Sequence, residues 1–169
     1  QAPAAWAAAN GRGVTIASLG SGGDGSQPDQ AANLGPGWNM FDNNADTSDV
    51  QGHGTSVSGA AAAVGNNGAG SAGVAWGAKI MPVRISGLDG YAYFSTIAQG
   101  VNWAADKGAR VANISYSVSG SASVQSAANY MRSKGGVVVV AAGNSGVEEM
   151  FAAHDSMLSI SASGGTYVR

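Results

Sequence analysis

Short apolar runs separated by glycine-rich and polar breaks organise this chain. Val14-Thr15-Ile16-Ala17-Ser18-Leu19 lies between Gly13 and Gly20-Ser21-Gly22-Gly23 and reads as a strand running into a loop. Positions 24–49 carry Pro28, Pro36 and many Asn and Asp around a brief apolar island at Trp38, Met40 and Phe41, which predicts mostly loop laid over a core. His53 stands between Gly52 and Gly54 at the mouth of a stretch running on through Ala60-Ala61-Ala62-Ala63-Val64, expected to continue as a helix buried on all sides. The glycine-broken segment 65–73 ends it. Lys79-Ile80-Met81-Pro82-Val83-Arg84-Ile85 follows as a strand in which Pro82 marks an irregularity.

Helix and strand then alternate. Phe94 to Ala105 has apolar residues at helical spacing (Ile97, Val101, Ala104, Ala105) and stops at Lys107-Gly108. Val111 to Ile114 is strand-like and Val124 to Met131 helical, while Val137-Val138-Val139-Val140-Ala141 suits a strand buried on both faces. Strands joined through single helices predict an α/β fold: a doubly wound, mostly parallel sheet with helices on both faces. In such sheets functional groups collect where strands end, and His53, Ser115 and Asn144 all fall at element ends.

Composition narrows the picture. The 169 residues allow one core of ordinary size, so residues 1–169 read as a single domain or part of one. Only 11% of residues are charged, 44% are hydrophobic and 27 are glycine, which argues for a heavily buried body rather than disorder. A net charge of −2 without a basic cluster argues against nucleic acid as a partner. There is no cysteine, which excludes a disulfide framework and thiolate metal sites. The apolar opening Ala2 to Ala9 is too short to span a bilayer and lacks a basic flank, so neither signal peptide nor membrane anchor is read there.

Taken alone, His53 has two readings: a residue capping or packing at a helix start, or a catalytic base that flanking glycines leave open to close approach. Three segments bear on the choice. They are His53-Gly54-Thr55-Ser56-Val57-Ser58-Gly59 with the following 64–80 stretch, Val111-Ala112-Asn113-Ile114-Ser115-Tyr116-Ser117, and Val137 to Val140 with Ala141-Ala142-Gly143-Asn144-Ser145-Gly146. Together, from about Ala2 to about Ala162, they resemble the subtilisin-like serine proteases.

The resemblance implies an amide hydrolase in which His53 takes the proton of a serine hydroxyl, a task suited to a side chain that titrates near neutrality. Asn144 would donate to the carbonyl oxygen as negative charge develops on it. By itself Gly143-Asn144-Ser145-Gly146 is equally an ordinary tight turn. A peptide substrate would add as a strand between Ser115-Tyr116-Ser117 and Gly90-Tyr91-Ala92, although Tyr116 and Ser117 stand where the family more often has an apolar residue and a glycine. Asn67 and the carbonyls of Ala69 and Ser71 resemble the family's calcium loop, with Asp29 as the completing aspartate; a metal-free glycine loop is the other reading. Secretion follows from the family alone.

Two departures stand out. Gly20 occupies the position of the triad aspartate, and neither Asp24 nor Asp29 is an obvious replacement. No serine matches the family's nucleophile; Ser56 and Ser58 lie on the histidine's own helix, and Ser145 reads as a turn residue. One triad member of three is therefore assignable. Three explanations stay open: the amino-terminal piece of a divided protease whose serine lies on a second chain, a deliberately inactivated or shortened form, or an inactive peptide-binding relative. On the fragment reading, apolar surface around Val137 to Ala141 is expected to make the lone chain prone to aggregation.

Overall fold

The computed structural model describes residues 2–118, 120–144 and 155–161. In chain order the elements are α1 (Ala2–Trp6), β1 (Thr15–Gly20), α2 (Pro28–Ala31), β2 (Trp38–Asn39), α3 (His53–Ala62), β3 (Lys79–Arg84), α4 (Phe94–Asp106), β4 (Val111–Ile114), α5 (Ala122–Ser133), β5 (Val137–Ala141) and β6 (Met157–Ile160). The strands form one sheet in the order β2-β3-β1-β4-β5-β6, and each neighbouring pair runs parallel. This is the α/β architecture that alternating strands and helices implied.

Alternation along β1 sorts the two faces. Ala17 and Leu19 enter the main core, formed with Val101, Ala104, Val124, Ala128 and Met131 of α4 and α5. Ile16 joins the smaller cluster of Ala62, Ala78 and Ile80 on the α3 side. Gly100 lets α4 approach the sheet closely, because a Cβ there would sit 3.1 Å from both Leu19 and Val83.

Several expectations need correction. α3 is not buried all round: only Gly54, Ser58 and Ala62 are buried, a stripe spaced by four residues, while His53, Ser56 and Ala60 are exposed. The stretch 24–49 is mostly loop as expected, interrupted by α2 and the edge strand β2, and Asn39 within it is fully buried. Pro82 sits inside a regular stretch paired with Ser18 of β1; on the other side pairing is interrupted between the Leu34–Ile80 bridge and the Trp38–Val83 pair. The missing N–H falls in that gap, because Ile80, two residues earlier, donates toward the same side, to Asn33 O. Finally, β5 is buried on one face only, at Val138 and Val140, while Val137, Val139 and Ala141 are half-buried; Leu158 and Ile160 of β6 are exposed.

Candidate active site

The carboxyl end of β1 and the amino end of α3 meet through glycine. Gly20 shares the parity of Ile16 and Ser18 and so faces α3; the atom nearest to a Cβ built on it is the Gly54 Cα, at 3.5 Å. Gly54 is the neighbour of His53. A Cβ on Gly54 would collide with the Gly22 carbonyl, and Gly22 itself has φ +124°, so bare backbone packs on bare backbone at this junction. Gly52 caps α3 with φ +91°. Glycine on both sides of His53 thus has two separate reasons, a left-handed turn before it and a close crossing after it.

Asp49 fixes that junction. Its carboxylate accepts from the Ser21 hydroxyl (2.7 Å), the Gln51 and Gly52 N–H groups (3.0 and 2.8 Å), the Thr55 N–H (2.8 Å) and the Thr55 hydroxyl. Ser21 in turn accepts from the Gly54 N–H at 2.9 Å. A carboxylate taking up the first N–H groups of a helix also interacts favourably with its dipole. Partial burial pushes the Asp49 carboxyl up, but the bonds from Thr55, Gln51, Ser21 and Gly52 outweigh it and hold the group well below the usual carboxylate range.

This network holds the helix that carries His53 without touching the imidazole. Among the described residues no group hydrogen-bonds to the His53 ring. Asp24 turns to the Ser26 N–H and hydroxyl (2.8 and 2.6 Å) and Asp29 to Ser71, so neither replaces a carboxylate at Gly20.

Parallel pairing carries the remaining residues to the same edge. Leu19 is level with Ile114, and Ile114 with Val140, so the chain leaves β1, β4 and β5 side by side. His53 lies beside the end of β1, Ser115 immediately after β4, and Asn144 three residues beyond β5, in an exposed bend preceded by Gly143 at φ +90°. Ser145, Gly146 and the 164–166 stretch lie outside the described residues. Asn113 donates to the Ser115 hydroxyl at 3.1 Å. The segments 115–117 and 90–92 are directly joined: the half-buried Tyr116 donates its hydroxyl to the Gly90 carbonyl at 2.9 Å. Tyr91 is 79% exposed, and Ala92 packs against the main core.

Asp29 and the 67–71 loop also come together. The Ser71 N–H and hydroxyl donate to the Asp29 carboxylate (2.6 and 3.3 Å), and the Ala69 N–H donates to Asn67 Oδ1 at 3.2 Å. Among the described residues no group of three or more His, Cys, Asp or Glu gathers as a metal cluster, so a cation here would depend on neutral oxygens beside one carboxylate.

Asp49, Ser21 and Thr55 went unrecognised in the sequence. The signal available was an aspartate four residues before the histidine, ahead of the helix start, but the partner at Ser21 is 28 positions away and only the fold supplies it.

Comparison with known proteins bears on the family and the fold. Residues 11–166 match the model of the subtilase family. The chain is 42% identical over 147 residues to thermitase of Thermoactinomyces vulgaris, covering 86% of this chain and 53% of that protein. It is 41% identical over 152 residues to subtilisin BL of Lederbergia lenta, covering 89% and 55%. Among solved structures, sphericase superposes with TM-score 0.77 at 34% identity, covering 83% of this chain and 49% of that one. The chain therefore spans about half the length of these relatives. With the match covering most of its residues, the chain belongs to the subtilase family of serine peptidases.

Proposed function

We propose that this chain is the amino-terminal part of a secreted, subtilisin-type serine endopeptidase whose nucleophile is supplied by a further segment or a second chain. The observation that carries the reading is the placement of His53 against the carboxyl end of β1, on the edge where Ser115 and the Asn144 bend also emerge. On this reading a peptide lies between 115–117 and 90–92, held by backbone hydrogen bonds. The serine oxygen adds to the scissile carbonyl while His53 takes the hydroxyl proton, and the Asn144 amide donates to the resulting oxyanion. His53 returns the proton to the departing amine, and water then releases the acyl group by the reverse proton path.

On this reading the Asp29 carboxylate, Asn67 and the Ala69 and Ser71 carbonyls, oxygen donors of the kind calcium takes, would hold a structural calcium ion. Its role would be to brace the loop after α3. Among the described residues no helix is long and apolar enough to cross a membrane.

A second reading has its own support. With Gly20 at the end of β1 and no partner on the imidazole among the described residues, the chain suits an inactive subtilase that retains the groove for peptide binding. In serine enzymes, loss of the orienting carboxylate costs about ten-thousandfold.

Intact-mass and gel analysis of the native sample, followed by hydrolysis assays on blocked peptide amides, separates the two. A companion polypeptide carrying a serine that labels with an active-site phosphonate supports the protease. Absence of such a polypeptide, with tight peptide binding and no turnover, establishes the binding module instead.

A further inference from the structure

Asn10 and Asn67 each precede a glycine. That pairing is chemically reactive, because a glycine, lacking a Cβ, leaves its backbone nitrogen open to the side chain before it. Both asparagines make the same local turn. The Ala69 N–H donates to Asn67 Oδ1 at 3.2 Å, and the Arg12 N–H to Asn10 Oδ1 at 3.1 Å. Such a bond folds the carboxamide back over the following peptide and draws electron density from its carbon, as an oxyanion-binding donor does.

Their surroundings differ. The Asn10 carbonyl accepts from the Gly77 N–H at 2.8 Å, and a Cβ on Gly77 would meet Asn10 Oδ1 at 2.7 Å. Gly11 is backed by Ala75 and Ala78, whose Cβ atoms would lie 2.8 and 3.1 Å from a Cβ built on it, and its carbonyl accepts from the Val14 N–H at 3.0 Å. The peptide between Asn10 and Gly11 is thus clamped. Asn67, Gly68 and Ala69 are all exposed, and nothing lies within 4 Å of a Cβ built on Gly68. Ring closure needs the asparagine backbone to turn until its side-chain carbon meets the next nitrogen, and of the two sites Asn67 alone is free of packed neighbours that resist the turn.

We propose that Asn67 is a site of spontaneous deamidation, a covalent modification that the fold permits there and blocks at Asn10. The Gly68 nitrogen bonds to Asn67 Cγ and gives up its proton; the Cγ–Nδ2 bond breaks, and the amide nitrogen leaves with that proton as ammonia. A cyclic succinimide remains. Water opens it at Cγ to give aspartate, or at the main-chain carbonyl carbon to give isoaspartate, in which the chain runs on through Cβ and Cγ. Either route takes up a water and releases an ammonia, with no enzyme, oxidant or metal. Both products place a new negative charge in the loop whose Ser71 already donates to the Asp29 carboxylate. Isoaspartate also lengthens the loop backbone by a methylene.

The test is ageing of the whole chain in mildly alkaline buffer, with a chelator so that no cation holds Asn67, beside the same chain unfolded in guanidinium chloride. Trypsin cuts after Arg12 and Lys79 and puts the two asparagines on separate peptides, 1–12 and 13–79. Electron-transfer fragmentation then locates the converted residue and tells aspartate from isoaspartate. In the folded chain Asn67 should convert within about threefold of its unfolded rate, while Asn10 should slow at least about tenfold against its own. Asn67→Gln, which would have to close a larger and less favourable ring, should lose the acidic species that isoelectric focusing resolves in the aged folded chain. Equal folded-state rates at the two asparagines, faster conversion of Asn10, or an Asn67 that stays intact overturn the proposal. An acidic species that forms at an unchanged rate in Asn67→Gln overturns it as well.

Discussion

Gly20 looks directly onto Gly54: a Cβ added to the last residue of β1 would lie 3.5 Å from the Cα of the residue that follows His53. This is ordinary van der Waals contact, and the backbone of Gly20 lies outside the left-handed region. The junction therefore accepts a Cβ at Gly20 without strain.

Gly20→Asp is accordingly expected to fold and to give His53 the partner it lacks. Its ¹⁵N spectrum should change from a tautomer mixture to a single Nδ1–H form, because a carboxylate beside one ring nitrogen fixes the proton there. With the remaining part of the catalytic domain supplied, peptide hydrolysis should rise by about ten-thousandfold. A folded variant whose imidazole stays a tautomer mixture would contradict the placement of His53 beside β1.

Asp49 makes stability depend on acid. The unfolded chain protonates this carboxyl near ~3.9, whereas the folded chain does so only at lower pH, so between those values the unfolded state holds the extra proton. Its contribution is therefore complete above that range and lost as pH falls through it. Asp49→Asn, which keeps one acceptor oxygen but turns an amide NH2 toward the donors that surround it, should cost about 1 kcal/mol at neutral pH. The gap between the two proteins should narrow below about pH 4. Denaturant midpoints measured from pH 3 to pH 7 supply the check; a gap independent of pH would rule out the charged network.

Glycine to alanine should give different results at two positions of α3. In a helix interior the exchange ordinarily stabilises by about 0.5–1 kcal/mol. At Gly54 the new methyl meets the Gly22 carbonyl, and we expect a loss of about 1–3 kcal/mol. At Gly59 it meets only the end of the Gln30 side chain, and the net effect should stay within about 0.5 kcal/mol as helix propensity offsets the displaced amide. Urea denaturation of the two variants distinguishes them.

Calcium added to chelator-treated chain should raise Tm, with stabilisation of about 2.7 kcal/mol at a hundredfold excess over Kd. Asp29→Asn and Asn67→Ala should each abolish most of that gain, while magnesium, which demands a stricter octahedral shell, should not substitute. Identical melting with and without calcium would favour the metal-free loop.

The edge strand β6 should govern solubility. Leu158 and Ile160 are two positions apart, hence on one face, and are 53% and 55% exposed. Replacing both with lysine should reduce concentration-dependent light scattering while shifting stability by no more than about 0.5 kcal/mol. If aggregation persists unchanged, the association surface lies elsewhere.

How much of this was legible in the sequence depends on how far apart the interacting residues lie. Strands β1, β3, β4 and β5, the helices between them and their parallel order follow from local patterns, because period-two and period-3.6 burial are written in consecutive residues. The family, and with it the candidates His53, Asn144 and the substituted Gly20, was also readable, since each stands in its own contiguous motif. Three things were decided by tertiary structure alone. Asp49 captures Ser21 across 28 positions, Gly22 and Gly54 touch through bare backbone, and Tyr116 reaches Gly90 across 26 positions. None has a sequence period, because each exists only after the sheet has brought the ends of different strands to one edge. Local chemistry thus determined which elements form, and the packing of those elements determined which side chains face one another.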